Sequence, residues 1–173
     1  EYYDYSGGTY ARPTSVTASG LASYRYFYSG NKLIRVARDN TLYPANGYSV
    51  ENTYLYGANV SAANLPPITL DKIVWGQSVS PNAVTISFGP DSNLLTSSPT
   101  TPVTVSSLSS SQLKQGSYTY FDALGRQTNS ADWGSSKWLY SYQQYDSNDN
   151  LITSFDQSGI YQLQQRILTE PNV

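Results

Sequence analysis

Tyr118-Thr119-Tyr120-Phe121-Asp122-Ala123-Leu124-Gly125-Arg126, running on to Asp132, is answered further along the chain by Tyr140-Ser141-Tyr142-Gln143-Gln144-Tyr145-Asp146-Ser147-Asn148-Asp149-Asn150-Leu151, running on to Asp156. A third copy, Tyr24-Arg25-Tyr26-Phe27-Tyr28-Ser29-Gly30-Asn31-Lys32-Leu33, runs on to Asp39. In each, an aspartate stands eleven positions after the last aromatic before the turn, and the two later copies are 24 residues apart at both landmarks. Tyrosines two apart share one face of an extended strand. Tyr54-Leu55-Tyr56 has the same pattern. Gly30-Asn31, Gly125 and Asn148-Asp149-Asn150 follow the aromatics and tolerate the positive φ of tight turns. The apolar runs Leu33–Val36 and Leu151–Phe155 then resume, so strand, turn, strand is the implied unit, about two dozen residues long. Asp39, Asp132 and Asp156, with Gly125 and Asn150, are the candidate turn-bracing residues, because Asx side chains accept backbone N–H groups at bends.

Outward from these copies the composition changes. All 17 tyrosines fall within 2–56 or 118–161, whereas 57–117 holds six of the nine prolines and a Ser/Thr-rich run. Three regions follow: a Tyr-rich hairpin region over 1–56, a Pro/Ser/Thr-rich short-strand region over 57–117, and a second hairpin region over 118–173, together one folded unit. In the middle region Ile68–Leu70, Lys72–Trp75, Ala83–Phe88 and Val103–Val105 read as short strands, and Thr96–Pro102 as a loop. Helix is confined to a few residues around Ser109–Leu113. The terminal stretches 1–10 and 160–169 read as strands able to pair with a neighbour. The expected fold is all-β: antiparallel hairpins in a curled sheet or sandwich with almost no helix.

At 173 residues the chain is long enough for a real core. Charged residues make up 13% and the net charge is −2, with no basic cluster, so nucleic acid is not an expected partner. Histidine, cysteine and methionine are absent, which removes the usual general base, the thiolate nucleophile and the favoured ligands of zinc, copper and haem. No cofactor is expected. No run of about 20 apolar residues suggests a membrane span. Glu1 reads as a processed terminus or the start of a fragment. Low charge and abundant Ser, Thr, Asn and Tyr suit an extracellular or cell-surface protein, and Asn59-Val60-Ser61 is a glycosylation sequon.

The pattern of an aromatic-Asp pair, two spacers, Gly-Arg or an Asn-Leu equivalent, and a second aspartate near a glycine resembles the YD repeat of the Rhs, Tc-toxin C-component and teneurin proteins. It covers about 24–42 and 118–160, with a faint echo in Tyr2-Tyr3-Asp4-Tyr5. The resemblance implies hairpins laid side by side in a large sheet that encloses a polypeptide or forms part of an adhesive ectodomain. Tyr28-Ser29 stands where the family has tyrosine-aspartate, Gln127 where it has an apolar residue, and 57–117 shows no repeat. The chain is either part of a longer shell or a small β protein with similar hairpins.

Chemistry-bearing alternatives are thin. Asp146, Asn148 and Asn150 have the opening spacing of a calcium loop, but Leu151 and Gln157 stand where glycine and glutamate belong; a hairpin-tip Asx turn is the simpler reading. Paired aspartates for glycoside hydrolysis lack the means to split their pKa values. Ser29/Lys32 and Ser111/Lys114 match Ser-x-x-Lys without an apolar pocket. Trp133, Trp138 and Tyr140 are candidate surface contacts for a glycan or receptor, against cross-strand aromatic packing as the alternative. No catalytic or metal-binding residue is expected. The expected role is a non-enzymatic structural protein, a shell or self-assembling filament subunit pairing with copies of itself through edge strands. A carbohydrate- or receptor-binding adhesin module is the alternative.

Overall fold

In the computed structural model, residues 2–4, 12–39, 47–58, 60, 65–68, 80–92, 94 and 99–169 are described. The chain is all-β, and the described residues form ten strands, paired antiparallel to their neighbours in sequence wherever the register is defined. It divides into two compact units, Glu1–Leu55 with Ser87–Leu108, and Tyr56–Ile86 with Ser109–Val173. The compositional step after residue 56 falls beside this division, but the proline-rich middle is shared between the units.

The first unit is a meander of β1 (Tyr2–Asp4), β2 (Ser15–Thr17), β3 (Tyr24–Ser29), β4 (Lys32–Asp39) and β5 (Tyr48–Tyr56). Period-two alternation turns Arg35 and Ala37 inward on β4, and Thr53 and Leu55 inward on β5, leaving Tyr54 and Tyr56 on the other face. Arg35 is only 2% exposed, and its guanidinium donates to the Pro99 carbonyl at 2.7 Å. Burial lowers its pKa. The strand expected over Val103–Val105 does not form. A single 3₁₀ turn occupies Val105–Ser107, because Ser107 Oγ accepts from Thr104 N at 3.2 Å and donates to Thr104 O at 2.8 Å. These local bonds compete with a ladder.

The second unit carries most of β6 (Ala83–Phe88), then β7 (Gly116–Phe121), β8 (Gln127–Gly134), β9 (Lys137–Tyr145) and β10 (Leu151–Phe155). Its core holds Val84, Ile86, Leu113, Tyr118, Tyr120, Ala131, Tyr140 and Ile160, all buried. A short helix, α1 (Ser110–Leu113), begins with a capping box in which Ser109 N donates to Gln112 Oε1 and Gln112 N donates to Ser109 Oγ. The expected strand over 160–169 is corrected: Gln157–Thr169 is a helix, α2. Ile160, Leu163 and Ile167 recur at helical and not alternating spacing, and Asp156 Oδ1 caps the first turn by accepting from Gly159 N at 2.7 Å. The expected strand Lys72–Trp75, most of Ile68–Leu70, residues 96–98 of the expected loop, most of the 1–10 stretch and Asn59 lie outside the described residues.

All three sequence copies are hairpins: β3–β4, β7–β8 and β9–β10. They also share an irregularity. Pairing runs Tyr28↔Leu33 then Phe27↔Arg35, Phe121↔Gln127 then Tyr120↔Asn129, and Tyr145↔Leu151 then Gln144↔Thr153. Ile34, the third residue after its tip, and Thr128 and Ile152, each the second after theirs, are left out as bulges, which sharpens the local twist of the strand.

Candidate functional site

The feature that recurs with atomic similarity is the hairpin tip of the second unit. Asp122–Arg126 and Asp146–Asn150 each connect strands through five residues. In the first, Asp122 N donates to Arg126 O at 3.0 Å and Gly125 N to Asp122 O at 3.1 Å; in the second, Asp146 N donates to Asn150 O at 3.0 Å and Asp149 N to Asp146 O at 3.2 Å. One carboxylate oxygen braces each loop from within. Asp122 Oδ1 accepts from Leu124 N at 2.9 Å and Arg126 N at 3.0 Å. Asp146 Oδ1 accepts from Asn148 N at 2.8 Å and Asn150 N at 2.9 Å. The second oxygen binds the fifth residue, Arg126 Nε at 2.7 Å or Asn150 Nδ2 at 2.9 Å.

The electrostatics follow from these bonds. At Asp122, burial favours the neutral acid, but the bonds from Arg126 and Leu124 outweigh it and hold the pKa below its ordinary value. At Asp146 the Asn150 side chain leads the lowering, with the Asn150 and Asn148 N–H groups adding to it. Arg126 also reaches the next tip, donating from Nη1 to Asp149 Oδ1 at 2.5 Å, and its guanidinium lies 4.9 Å from the Tyr145 ring centroid. One side chain thereby joins two consecutive copies.

The expected bracing residues are placed as follows. Gly125 and Asn150 belong to the tips. Asp156 receives the Gly159 N–H, but Asp39 pairs with the Arg25 side chain at 2.5 Å and Asp132 accepts from Gln157 Nε2 at 2.6 Å. The latter two therefore bind side chains, and the backbone N–H groups of the tips fall to Asp122 and Asp146. The signal available in sequence was the equal spacing of Asp122 to Arg126 and Asp146 to Asn150.

Trp133 and Trp138 face each other across β8 and β9, with ring centroids 5.2 Å apart and nearly perpendicular. Trp138 also meets Tyr118 edge-on at 5.3 Å, and Lys114 Nζ sits 4.0 Å from the Trp133 ring centroid. Tyr140 is 7% exposed and donates its hydroxyl to the Pro67 carbonyl at 3.0 Å, which places it in the core and not on the surface expected of it. Burial pushes its phenol up to about 12.

A cleft of about 340 Å³ with a mixed polar and apolar lining lies beside the first tip, bordered by Pro81, Asp122, Arg126, Gln143, Tyr145 and Ile152. Both Asp122 oxygens in it already accept bonds from the chain's own donors, and a carboxylate held ionised is poorly suited to act as a general acid. The Asp146 oxygens likewise meet N–H donors, the reverse of what a cation requires. Among the described residues no group of three or more acidic, His or Cys side chains is placed to hold a metal ion.

Gly125 has φ of +79° with open space where a Cβ would stand, and Asp149, its counterpart 24 residues later, has φ of +65°. Gly125→Asn is therefore expected to fold with little loss, whereas the β-branched Gly125→Val is expected to cost about 1–2 kcal/mol. Urea unfolding of the two variants checks this; equal losses would mean that backbone strain does not set the choice. No protein-family model, curated protein or solved structure matches the chain.

Proposed function

We propose that this chain is a non-enzymatic structural segment of the YD-repeat kind, a wall of repeated β-hairpins serving a shell or fibre outside the cell. The observation that carries this reading is the paired tips: two loops 24 residues apart have the same internal bonds, and Arg126 links one to the next. Residues that recur in identical structural roles serve the scaffold, whereas a reaction centre normally breaks the repeat. The best-braced carboxylates hold turns. Sparse charge and the absence of histidine and cysteine suit the same role.

In repeat proteins each unit contacts its neighbours, and stability grows with the number of units. Duplicating residues 122–145 in tandem would add one tip and one strand pair in phase, with the second copy again meeting Asp146. The duplicated chain is expected to fold, to keep its circular dichroism per residue, and to melt at or above the temperature of the parent. Amide exchange showing the inserted 24 residues unprotected would defeat the repeat reading.

A further inference from the structure

We infer that the outer edge of β10 is a pairing surface at which a second copy of this chain docks, strand against strand in antiparallel sense across a two-fold axis. This rests on the reading of the chain as a structural hairpin repeat and names the partner of its open side. The 24-residue phase makes Leu151–Phe155 the counterpart of Gln127–Ala131, whose strand, β8, is paired on both sides, by β7 and β9. β10 is paired with β9 and stands last in the strand order. The residues due to form the next strand are instead α2, and α2 turns inward. Gln157 at its start bonds Asp132 of β8, and the Tyr161 ring lies 4.8 Å from Lys137 Nζ at the start of β9.

The sequence of β10 suits a like partner. Leu151-Ile152-Thr153-Ser154-Phe155 contains no charge and no proline, two of the devices that keep an edge from pairing, and the bulge at Ile152 is the one such device it carries. Leu151 is 52% and Ile152 61% exposed, two adjacent apolar side chains in water. A two-fold brings neutral strand to neutral strand, with Asp149 and Asp156 at opposite ends. Each acid already has a donor, Arg126 for Asp149 and the Gly159 N–H for Asp156. Arg126 offsets the charge of Asp149, whereas the Gly159 N–H leaves Asp156 ionised, so the repulsion between the two ends is reduced and not removed. Five residues a side is a small interface, so the dimer is expected to be weak and to grow with concentration.

Sedimentation equilibrium of the whole chain from micromolar to millimolar concentration tests this. A monomer–dimer equilibrium is expected, with the dissociation constant raised at least tenfold by Ile152→Lys and again by Ser154→Lys. Both positions are exposed, so the variants should keep the parent's circular dichroism. A parent that stays monomeric throughout, or a dimer indifferent to both lysines, overturns the pairing. The tandem duplication separates this from the repeat reading, because it leaves β10 at the edge. If the duplicated chain folds but does not dimerise, the edge inference alone fails. If the insert does not order while a lysine-sensitive dimer persists, the pairing holds and the repeat reading fails.

Discussion

Tyr118→Ala is expected to destabilise the second unit by about 3–5 kcal/mol, the range for deleting a fully buried aromatic side chain. The residue is 1% exposed, its ring meets Trp138 edge-on at 5.3 Å, and its hydroxyl donates to the Leu113 carbonyl at 2.8 Å. The loss combines burial, an aromatic pair and the bond that fastens the end of α1 to the sheet. Tyr118→Phe removes only the last and is expected to cost about 1 kcal/mol. Denaturant unfolding, followed by tryptophan fluorescence at Trp138, distinguishes them. Should the two variants cost the same, the ring does not carry the packing described.

Asp122→Ala is expected to cost about 2 kcal/mol, since two backbone N–H groups lose a charged acceptor in a partly exposed loop. Asp122→Asn keeps a side-chain oxygen for those N–H groups but gives up the carboxylate that meets Arg126, so it is expected to fall between parent and alanine. The pH dependence has a definite sign. The folded pKa of Asp122 is held below its ordinary value of 3.8, so its stabilising contribution is present above that value and is lost as pH falls through the lower, folded pKa. Acid titration of the parent should therefore lose stability below about pH 4, with a shallower loss in Asp122→Asn. An identical acid slope in both would show that this carboxylate is not what acid removes.

The hairpins were legible from sequence because two signals coincide in them. Tyrosines alternate with period two, and Gly or Asx stands where a positive φ is needed, as at Gly30, Gly125 and Asp149. The brief helix near Ser109–Leu113 was legible from the polar Ser/Gln run that caps it. The C-terminal helix was not anticipated, because the apolar content of 160–169 suits either state and only the spacing of Ile160, Leu163 and Ile167 decides between them. Val103–Val105 misled for the opposite reason: its alternation is that of a strand, but the Ser107 hydroxyl satisfies the Thr104 backbone locally. At the candidate site the spacing of the aspartates was visible, while their partners were not. Asp132 meets Gln157 from 25 positions away, and Arg126 meets Asp149 from 23, contacts that no local pattern encodes. Tyr140 was misplaced to the surface because alternation tells which tyrosines lie together and not which side water takes.

The reach of Arg126 toward Asp149 gives the row of loops a direction. Arginine in fifth place extends a hand forward to its successor, whereas Asn150, the corresponding residue one step on, folds back upon its own Asp146. A displacement of the first bend is thus felt at the second through a direct ion pair, and uncharged Asn150 has no such hand to offer a following bend.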